Sequence, residues 1–381
     1  MKKRKILLFI NSLYSAGAER VFSILSNYLN EREDIELHIV MIDNIVMYDL
    51  PKTQNFKIFK PSKTENPKNP YWKFLELPLL ALRLSKYIKE NDIDIAVSFL
   101  YRANYINLIS KLLKSNHKAV INIRSTTSRY LKEGVSGKVN LFLIKNLFNL
   151  ADLIISNSYG VKKDLETLFE IKTRHISIPN PLNIDKIQRL RKEKDEKYFL
   201  VDENKKYIIS VGRLIPLKRN KDLIDAFRKI KGKIDEDINL LFLGDGALKE
   251  ELKDYVKKSD IENRVLFLGN VKNPFYYLDK SLFFVLTSET EGFPNVLTEA
   301  MACNLPVISS NCKSGPSEIL DNGKYGFLYE VGDVAGLSEL MLNLIKDGEL
   351  RNKYSTLAFN RAKDYKLDNI MKLFYEAIKE V

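Results

Sequence analysis

The sequence is poor in the residues that build metal centres and disulfide frameworks. Among its 381 residues there are two cysteines, Cys303 and Cys312, and three histidines, His38, His117 and His175. This set provides neither the paired spacing of a zinc site nor a disulfide scaffold. We therefore expect a protein of a reducing compartment that binds no metal.

Long apolar runs are also missing. The opening ILLFI is shorter than the roughly 7 to 15 apolar residues of a signal peptide. The longest candidate span, VNLFLIKNLFNLADLIIS, is interrupted by Lys145 and Asp152, whereas a membrane-spanning helix requires about 20 apolar residues. These absences predict a cytoplasmic chain that is at most peripherally bound to a membrane.

Acidic residues are scarce relative to basic ones only in the first half of the chain. Residues 1–184 contain 28 Lys and Arg against 17 Asp and Glu, while residues 185–381 contain 33 against 32. Such an excess suggests a polyanionic partner, namely an anionic membrane surface, a phosphate-bearing acceptor or a nucleic acid. An ordinary lysine-rich surface explains it equally well. Nucleic acid fits least, because the basic residues are not interleaved with aromatic residues that could stack on bases.

The chain does contain two series of alternating strand and helix patterns. The first includes KILLFIN, AERVFSILSNYLN and IELHIVMID, and it ends after SIPNPLNID in a charged run that we interpret as the domain boundary. The second includes YIISVG, INLLFLGDG, VLFLGN, LFFVLTS and PVISS, and three helices are predicted after Asp333. This rhythm predicts two α/β lobes, each with a doubly wound parallel sheet that binds ligands at the carboxyl ends of its strands.

Two carboxylates flank a loop between a predicted strand and a predicted helix. In ETEGFPNVLTEAMA, which begins at Glu289, Glu291 lies in the loop and Glu299 about one turn inside the helix. They could form a general acid and base pair, but we prefer them as acceptors from vicinal hydroxyls of a ribose or a hexose. The N–H groups at the helix start would then face phosphate. Read alone, the spacing equally allows an exposed Glu299 and a capping Glu291.

Cations and a glycine stand at two other strand ends. VGRLIPLKRN leaves Arg213 and Lys218 in a loop where they could hold a diphosphate or be plain surface charges. SLYSAGAERV places Gly17 at a helix start that could approach phosphate or form an ordinary turn. The G-x-G-x-x-G fingerprint of dinucleotide sites is absent.

Taken together, these motifs resemble the retaining glycosyltransferases of family 4. EGFPNVLTEAMACNLPVISS is similar to the family's E-x7-E segment, and AGAERV, SNSYGVKKDL, SIPNPLNID, GRLIPLKRN, LGDGALKEEL, VLFLGNV and SGPSEIL follow its usual order over nearly the whole chain. The resemblance implies the GT-B fold, with two Rossmann-like domains facing an interdomain cleft. Residues 1–184, joined by a C-terminal helix at about 366–381, would bind the acceptor, and residues 185–365 the donor.

The resemblance also implies roles for individual residues. Glu299 would hold the ribose of a sugar nucleotide and Glu291 hydroxyls of the donor sugar, while Arg213 and Lys218 would neutralise the diphosphate. Arg213, Lys218 and Glu291 are thus the expected catalytic group, with neither metal nor cofactor, and the backbone from Gly269 to Val271 would touch the base. The expected donor-binding residues are Gly17, Arg213, Lys218, Val271, Glu291, Gly292, Phe293, Pro294, Asn295, Val296 and Glu299.

The sequence departs from the family in a loop of the first domain. Many relatives have a histidine there near the donor sugar, whereas this chain reads INIRSTTSRY with Arg124 and Ser125. We hypothesise that these two residues contact an acceptor phosphate or the donor. His117, which precedes the strand, is expected to be exposed.

The acceptor is indicated by two basic and apolar segments. NPYWKFLELPLLALRLSKYIKE combines residues such as Leu75 and Leu79 with Arg83 and Lys86, and a second zone runs from Arg124 to Lys145. Helices at a membrane interface have this composition, and so do core helices with snorkelling lysines. We expect retaining, metal-independent transfer of a hexose or N-acetylhexosamine, from a UDP-sugar by preference, to a polyprenyl-diphosphate saccharide at the inner face of the membrane. The alternatives are a GT-B epimerase or phosphorylase, and a non-catalytic glycan- or nucleic-acid-binding protein.

Overall fold

The computed structural model describes residues 3–14, 16–60 and 72–381. Contacts divide the chain into two units, residues 1–180 with 368–381 (unit 1) and residues 181–367 (unit 2). The predicted division, 1–184 with 366–381 and 185–365, differs by a few residues. The difference arises because the two segments that connect the units pair with each other. Leu182 N–H donates to Tyr365 O at 2.7 Å, and Leu367 N–H donates to Leu182 O at 3.0 Å. Both segments therefore belong to unit 2.

Unit 1 is built on a seven-stranded parallel sheet in the order β3-β2-β1-β4-β5-β6-β7. Its strands are β1 (Arg4–Ile10), β2 (Ile35–Asp43), β3 (Phe56–Lys60), β4 (Ile95–Phe99), β5 (Lys118–Ile123), β6 (Leu153–Ser156) and β7 (His175–Ser177). Its helices are α1 (Gly17–Asn30), α2 (Trp72–Leu75), α3 (Leu77–Glu90), α4 (Tyr101–Leu112), α5 (Gly134–Leu147), α6 (Tyr159–Leu168) and the C-terminal α15 (Leu367–Lys379).

Unit 2 repeats this plan with a six-stranded parallel sheet in the order β10-β9-β8-β11-β12-β13. Its strands are β8 (Lys206–Val211), β9 (Ile238–Leu243), β10 (Val265–Gly269), β11 (Ser281–Leu286), β12 (Val307–Ser310) and β13 (Phe327–Tyr329). Its helices are α7 (Ile184–Leu190), α8 (Asn220–Ile230), α9 (Lys249–Lys258), α10 (Pro274–Asp279), α11 (Asn295–Ala302), α12 (Pro316–Ile319), α13 (Val334–Lys346) and α14 (Gly348–Ala362).

The apolar strands explain why both sheets are covered on two faces. Every residue of β9, INLLFL, is buried, as expected for a parallel strand with helices above and below. In α8 the apolar Leu223, Ile224 and Phe227 turn towards the sheet and form one core with β8 and β9. The predicted α/β architecture of two parallel-sheet lobes is therefore confirmed.

In both units the strand order reverses direction next to the first strand. The reversal lies between β1 and β4 in unit 1 and between β8 and β11 in unit 2. At such a point the loops leave the sheet on opposite faces and open a crevice at the carboxyl ends of the two strands. The topology therefore directs attention to the loops after Val211 and Leu286.

One expectation about unit 1 is wrong. His117 is buried rather than exposed, and its ring nitrogens lie 2.9 Å from Asn107 Oδ1 and 3.1 Å from Ser115 O. Burial lowers the pKa of His117 to about 4. Because its polar atoms are satisfied inside the fold, this histidine is a structural residue.

Candidate active site

The loop after β8 is held in place by close backbone contacts. A Cβ atom on Gly244 would lie 2.0 Å from Gly212 O, and one on Gly246 would lie 2.4 Å from Leu214 O. Only glycine at these two positions lets the loop after β9 pack this closely. Leu214 N–H also donates to Asp245 O at 3.0 Å. The exposed Arg213 therefore projects from a fixed backbone, and within the described part of the chain its guanidinium has no hydrogen-bond or ion-pair partner.

The structure brings Lys218 and Glu291 into direct contact. Lys218 Nζ lies 2.6 Å from Glu291 Oε1, and Ser288 Oγ donates to the same oxygen at 2.7 Å. Thr287 Oγ1 donates to Lys218 O at 2.6 Å, which joins the loops after β8 and β11 through a second bond. Among the described residues no donor reaches Glu291 Oε2, so that oxygen can accept from a ligand hydroxyl.

The loop that carries Glu291 is braced by the segment after β12. Ser314 donates its hydroxyl hydrogen to Glu291 O. Gly315 has a φ of +92° and approaches the loop so closely that a Cβ would lie 2.7 Å from Pro294 Cδ. The SGPSEIL motif therefore supports the shape of the GFP loop, which holds Gly292, Phe293 and Pro294 at the start of α11.

Helix α11 begins at Asn295 immediately after this loop. Its first-turn N–H groups, including those of Asn295 and Val296, lie where a helix leaves backbone donors without intrahelical acceptors. Glu299 lies one turn further on and is only 8% exposed, so the alternative of an exposed Glu299 is wrong. The arrangement offers an anion-binding helix start with one carboxylate on each side of it.

Val271 lies beyond β10, at the far edge of the sheet from α11. It follows Gly269, whose positive φ of 70° turns the chain out of the strand. Val271 is half-buried and packs against the core that contains Tyr276, Tyr277 and Leu297. The loop is therefore anchored to this core, and the contact of its backbone with a base stays a prediction.

In unit 1, Gly17 is the first residue of α1 and follows β1 at the reversal point. The N-cap Ala16 is extended and cannot accept from the helix through its side chain. In the first turn Glu19 is buried, and burial raises the pKa of its carboxyl. The sequence pattern gave no indication that this acid is buried.

Arg124 directly follows β5 and carries a buried charge. Its Nη1 donates to Asn180 Oδ1 at 3.1 Å, and its guanidinium carbon lies 5.2 Å and 5.4 Å from the ring centres of Phe99 and Phe374. Its buried Nε and Nη2 have no hydrogen-bond partner among the described residues, and burial lowers the pKa of Arg124 to about 9. Ser125 accepts at its carbonyl from Tyr101 Oη at 3.3 Å. The acceptor or donor role of both residues stays a prediction.

Apolar and basic side chains are exposed together on the outer helices of unit 1. On α3 these include Leu79 and Leu82 with Arg83, and on α5 they include Phe142 with Lys145. Both helices pack against α4, so the exposed residues belong to one helical layer. The segment NPYWKFLELPLLALRLSKYIKE begins within residues 61–71, which lie outside the described part. No helix in residues 3–14, 16–60 or 72–381 combines the length and apolarity needed to span a bilayer.

The predicted donor residues of unit 2 thus all follow the carboxyl ends of its strands, with Val271 beyond the outer strand β10. Arg213, Lys218 and Glu291 stand on the loops at the reversal point, and α11 carries Glu299 beside them. Ser288, which orients the Glu291 carboxylate, escaped sequence reasoning because a serine at a strand end has no distinctive spacing. No group of three or more potential metal ligands occurs within the described residues; metal independence stays a prediction.

Both halves of the chain match known family models. Residues 15–186 match the model described as Glycosyltransferase Family 4, and residues 191–361 match the model described as Glycosyl transferases group 1. A Campylobacter jejuni relative, N-acetylgalactosamine-N,N'-diacetylbacillosaminyl-diphospho-undecaprenol 4-alpha-N-acetylgalactosaminyltransferase, is 35% identical over 379 residues, 99% of each chain.

Solved structures share the whole architecture. The crystal structure of Anabaena HepE in complex with UDP has a TM-score of 0.80 and 21% identity, and the match covers 99% of this chain and 100% of that one. Sucrose-phosphate synthase from Thermosynechococcus elongatus has a TM-score of 0.81 and 16% identity over 99% of both chains. These likenesses confirm the predicted GT-B fold.

Proposed function

Because the chain belongs to the family 4 glycosyltransferases, we propose that it transfers a hexose or N-acetylhexosamine from a UDP-sugar to a saccharide carried on polyprenyl diphosphate, with retention of configuration. The observation that carries the proposal is the contact of Lys218 with Glu291 beside the start of α11. The name of the Campylobacter jejuni relative specifies a diphospho-undecaprenol acceptor, and HepE was solved with UDP. Both support the choice of substrates.

The donor would bind with its diphosphate between the cations and the helix start. Arg213, Lys218 and the N–H groups of α11 would stabilise the charge that grows on the leaving diphosphate, which makes a metal unnecessary. Glu299 would accept from the ribose hydroxyls and Glu291 from those of the sugar. The bond from the anomeric carbon to the phosphate oxygen breaks, and the bond to the acceptor oxygen forms on the same face. The acceptor proton passes to the departing diphosphate.

The acceptor would reach unit 1 from a membrane. The basic excess of residues 1–184 favours an anionic surface, and the exposed Leu79, Leu82 and Phe142 can enter its interface. The Arg124 cation lacks partners for its buried Nε and Nη2, and a movement of the loop after β5 that admits a phosphate oxygen would satisfy them. We therefore place the enzyme at the inner face of the cytoplasmic membrane.

The test is transfer with defined substrates. Purified protein is incubated with UDP-GalNAc, UDP-GlcNAc, UDP-glucose, UDP-galactose or GDP-mannose, with and without an undecaprenyl-diphosphate saccharide and with EDTA. We expect acceptor-dependent release of UDP that survives EDTA, an α-linked product by NMR, and no release with the Lys218→Met variant. Epimerised donor without acceptor would establish the epimerase alternative instead. An absolute need for added Mg²⁺ would refute the metal-free step.

A further inference from the structure

A buried acid lies in a part of unit 2 that the proposed donor contacts do not include. Asp195 belongs to the charged run interpreted above as the domain boundary, where most side chains are exposed. Asp195 is only 3% exposed. An aspartate is rarely buried to this extent unless its oxygens are fully hydrogen-bonded.

The Asp195 carboxylate accepts three hydrogen bonds. Its Oδ1 accepts from Lys197 N–H at 3.0 Å and from Tyr277 Oη at 2.9 Å, while its Oδ2 accepts from Asn273 N–H at 2.8 Å. Burial opposes ionisation, but these hydrogen bonds outweigh it and hold the pKa of Asp195 below its ordinary value. The carboxylate is therefore ionised and acts as a fixed acceptor.

Further bonds tie the neighbouring turn at both ends. Lys197 Nζ donates to Asn270 O at 2.7 Å. Asn273 Nδ2 donates to Leu190 O and Glu193 O, each at 2.7 Å. The turn from Asn270 to Asn273, which contains Val271, is thus held on both sides by residues 190–197.

The same segment also supports α11. Gln188 Nε2 donates to Ala302 O at 2.5 Å, and Arg191 Nε donates to Asp279 Oδ1 at 2.5 Å. Ala302 is the last residue of the helix that carries Glu299. Residues 188–197 therefore connect the predicted ribose contact to the predicted base contact.

We propose that Asp195 is a positioning residue for nucleotide recognition, which fixes the turn from Asn270 to Asn273 where the backbone at Val271 meets the base. The inference rests on the proposed function, because it requires a nucleotide donor in unit 2. Asp195 acts through the turn, and it does so at the end of the donor away from the reacting carbon. Its loss therefore affects recognition of the base and not the chemical step.

The test variant is Asp195→Asn. An amide has one acceptor oxygen, so whichever way it is turned, its NH₂ group opposes at least one backbone N–H, either that of Asn273 or that of Lys197. A buried donor without an acceptor moves its backbone, and we expect UDP affinity to fall about tenfold. We expect GDP affinity to fall much less, so that the preference for UDP over GDP narrows. The donor KM rises and kcat at saturating donor stays unchanged.

Glu193→Gln is the matched control, because it removes the same charge from an exposed residue of the same run whose side chain pairs with Arg189 and does not contact the turn. Lys197→Met is the second variant; it removes the bond to Asn270 O from a half-buried side chain and leaves the carboxylate in place, so that folding is preserved. Affinities for UDP and GDP are measured by calorimetry on the full chain. The proposal is supported if Asp195→Asn or Lys197→Met narrows the preference for UDP over GDP while Glu193→Gln leaves it unchanged.

Two results would overturn it. Equal losses for UDP and GDP, accompanied by a lower Tm, would show that Asp195 serves only the stability of unit 2. Unchanged nucleotide affinities in both variants would show that the turn does not depend on this support. If the wild-type chain binds no nucleotide, the proposed function itself fails. This result is distinct from the other two, because it is obtained with the wild-type chain before any variant is compared.

Discussion

Replacing Glu291 with glutamine tests whether Lys218 is shared between Glu291 and the donor diphosphate. In the structure the Lys218 ammonium lies 2.6 Å from Glu291 Oε1. A bound diphosphate would compete for that ammonium. Glu291→Gln retains the shape of the side chain and weakens the competitor, so we expect UDP to bind more tightly while sugar transfer is impaired.

The expected gain follows from the charge that the substitution removes. The Lys218 ammonium keeps its charge opposite the amide, so the remaining hydrogen bond is still charge-assisted and only the attraction between the two charges is lost, about 1 kcal/mol for a pair near the surface. Because the two side chains are only 20% and 14% exposed, solvent screens little of this difference. A difference of about 1 kcal/mol corresponds to roughly fivefold tighter binding of UDP.

Isothermal calorimetry with UDP gives the affinity, and initial rates at saturating UDP-sugar give kcat. Glu289→Gln is the control, since it removes an equal charge from an exposed residue of the same loop. A fivefold or greater loss of UDP affinity in Glu291→Gln would refute the reasoning, because Glu291 would then assist the nucleotide rather than compete with it. Unimpaired transfer would remove Glu291 from the sugar site.

Four further outcomes are expected. Glu299→Ala weakens UDP binding about tenfold by calorimetry, because the ribose loses a charged acceptor; unchanged affinity would contradict this. Arg124→Met abolishes transfer yet raises the Tm, because it removes a buried cation with unsatisfied N–H groups. Since the pKa of Arg124 is lowered on folding, the difference in stability between the two proteins narrows as pH rises from 8 to 10; a difference independent of pH argues against a lowered pKa of Arg124. Because the pKa of His117 is lowered on folding, the unfolded chain binds a proton at a higher pH than the folded chain does, and the free energy of unfolding falls as pH drops from about 6.5 to 4. In His117→Gln we expect urea titrations to show a smaller fall over the same pH range. The double variant Leu79→Glu/Phe142→Glu binds anionic vesicles less in a flotation assay and keeps its UDP affinity. Equal flotation of the variant and the wild-type chain would exclude this surface as the membrane contact.

The architecture could be predicted from the sequence because parallel strands that are buried on both faces have continuous apolar sequences. INLLFL and SLFFVL are such runs, and both are strands. The end of each strand could therefore be read, and with it the loops that carry Arg213 and Glu291. The same reasoning predicted that Glu299 lies inside a helix.

Contacts between loops that are far apart in the sequence could not be predicted. Lys218 and Glu291 are 73 residues apart, and they meet because β8 and β11 are neighbours in the sheet, which no local pattern states. His117 was misjudged for a related reason. The polar sequence SNHK is typical of an exposed turn, but the buried Asn107 on α4 provides a partner for its ring.

Asp195 illustrates the limit of composition as a guide. The run around it is rich in Lys and Glu, a composition typical of solvated linkers. Burial of one aspartate among them depends on Tyr277 and Asn273, about 80 positions further along. The role proposed for Asp195 can therefore be recognised only from the folded turn.

The C-terminal helix α15 has a consequence for synthesis of the chain on the ribosome. Its fully buried Phe374 lies against Arg124, Tyr375 donates to Asp34 at 2.5 Å, and Arg4 donates to Lys379 O at 2.5 Å, all within unit 1. At about 5 to 20 residues per second, α15 follows residue 180 by roughly 10 to 40 s of translation. Unit 2, whose residues are contiguous, can complete its core first. Nascent unit 1 must wait for α15 to emerge, and a fragment that stops at residue 180 lacks the contacts of Phe374 with Arg124 and of Tyr375 with Asp34.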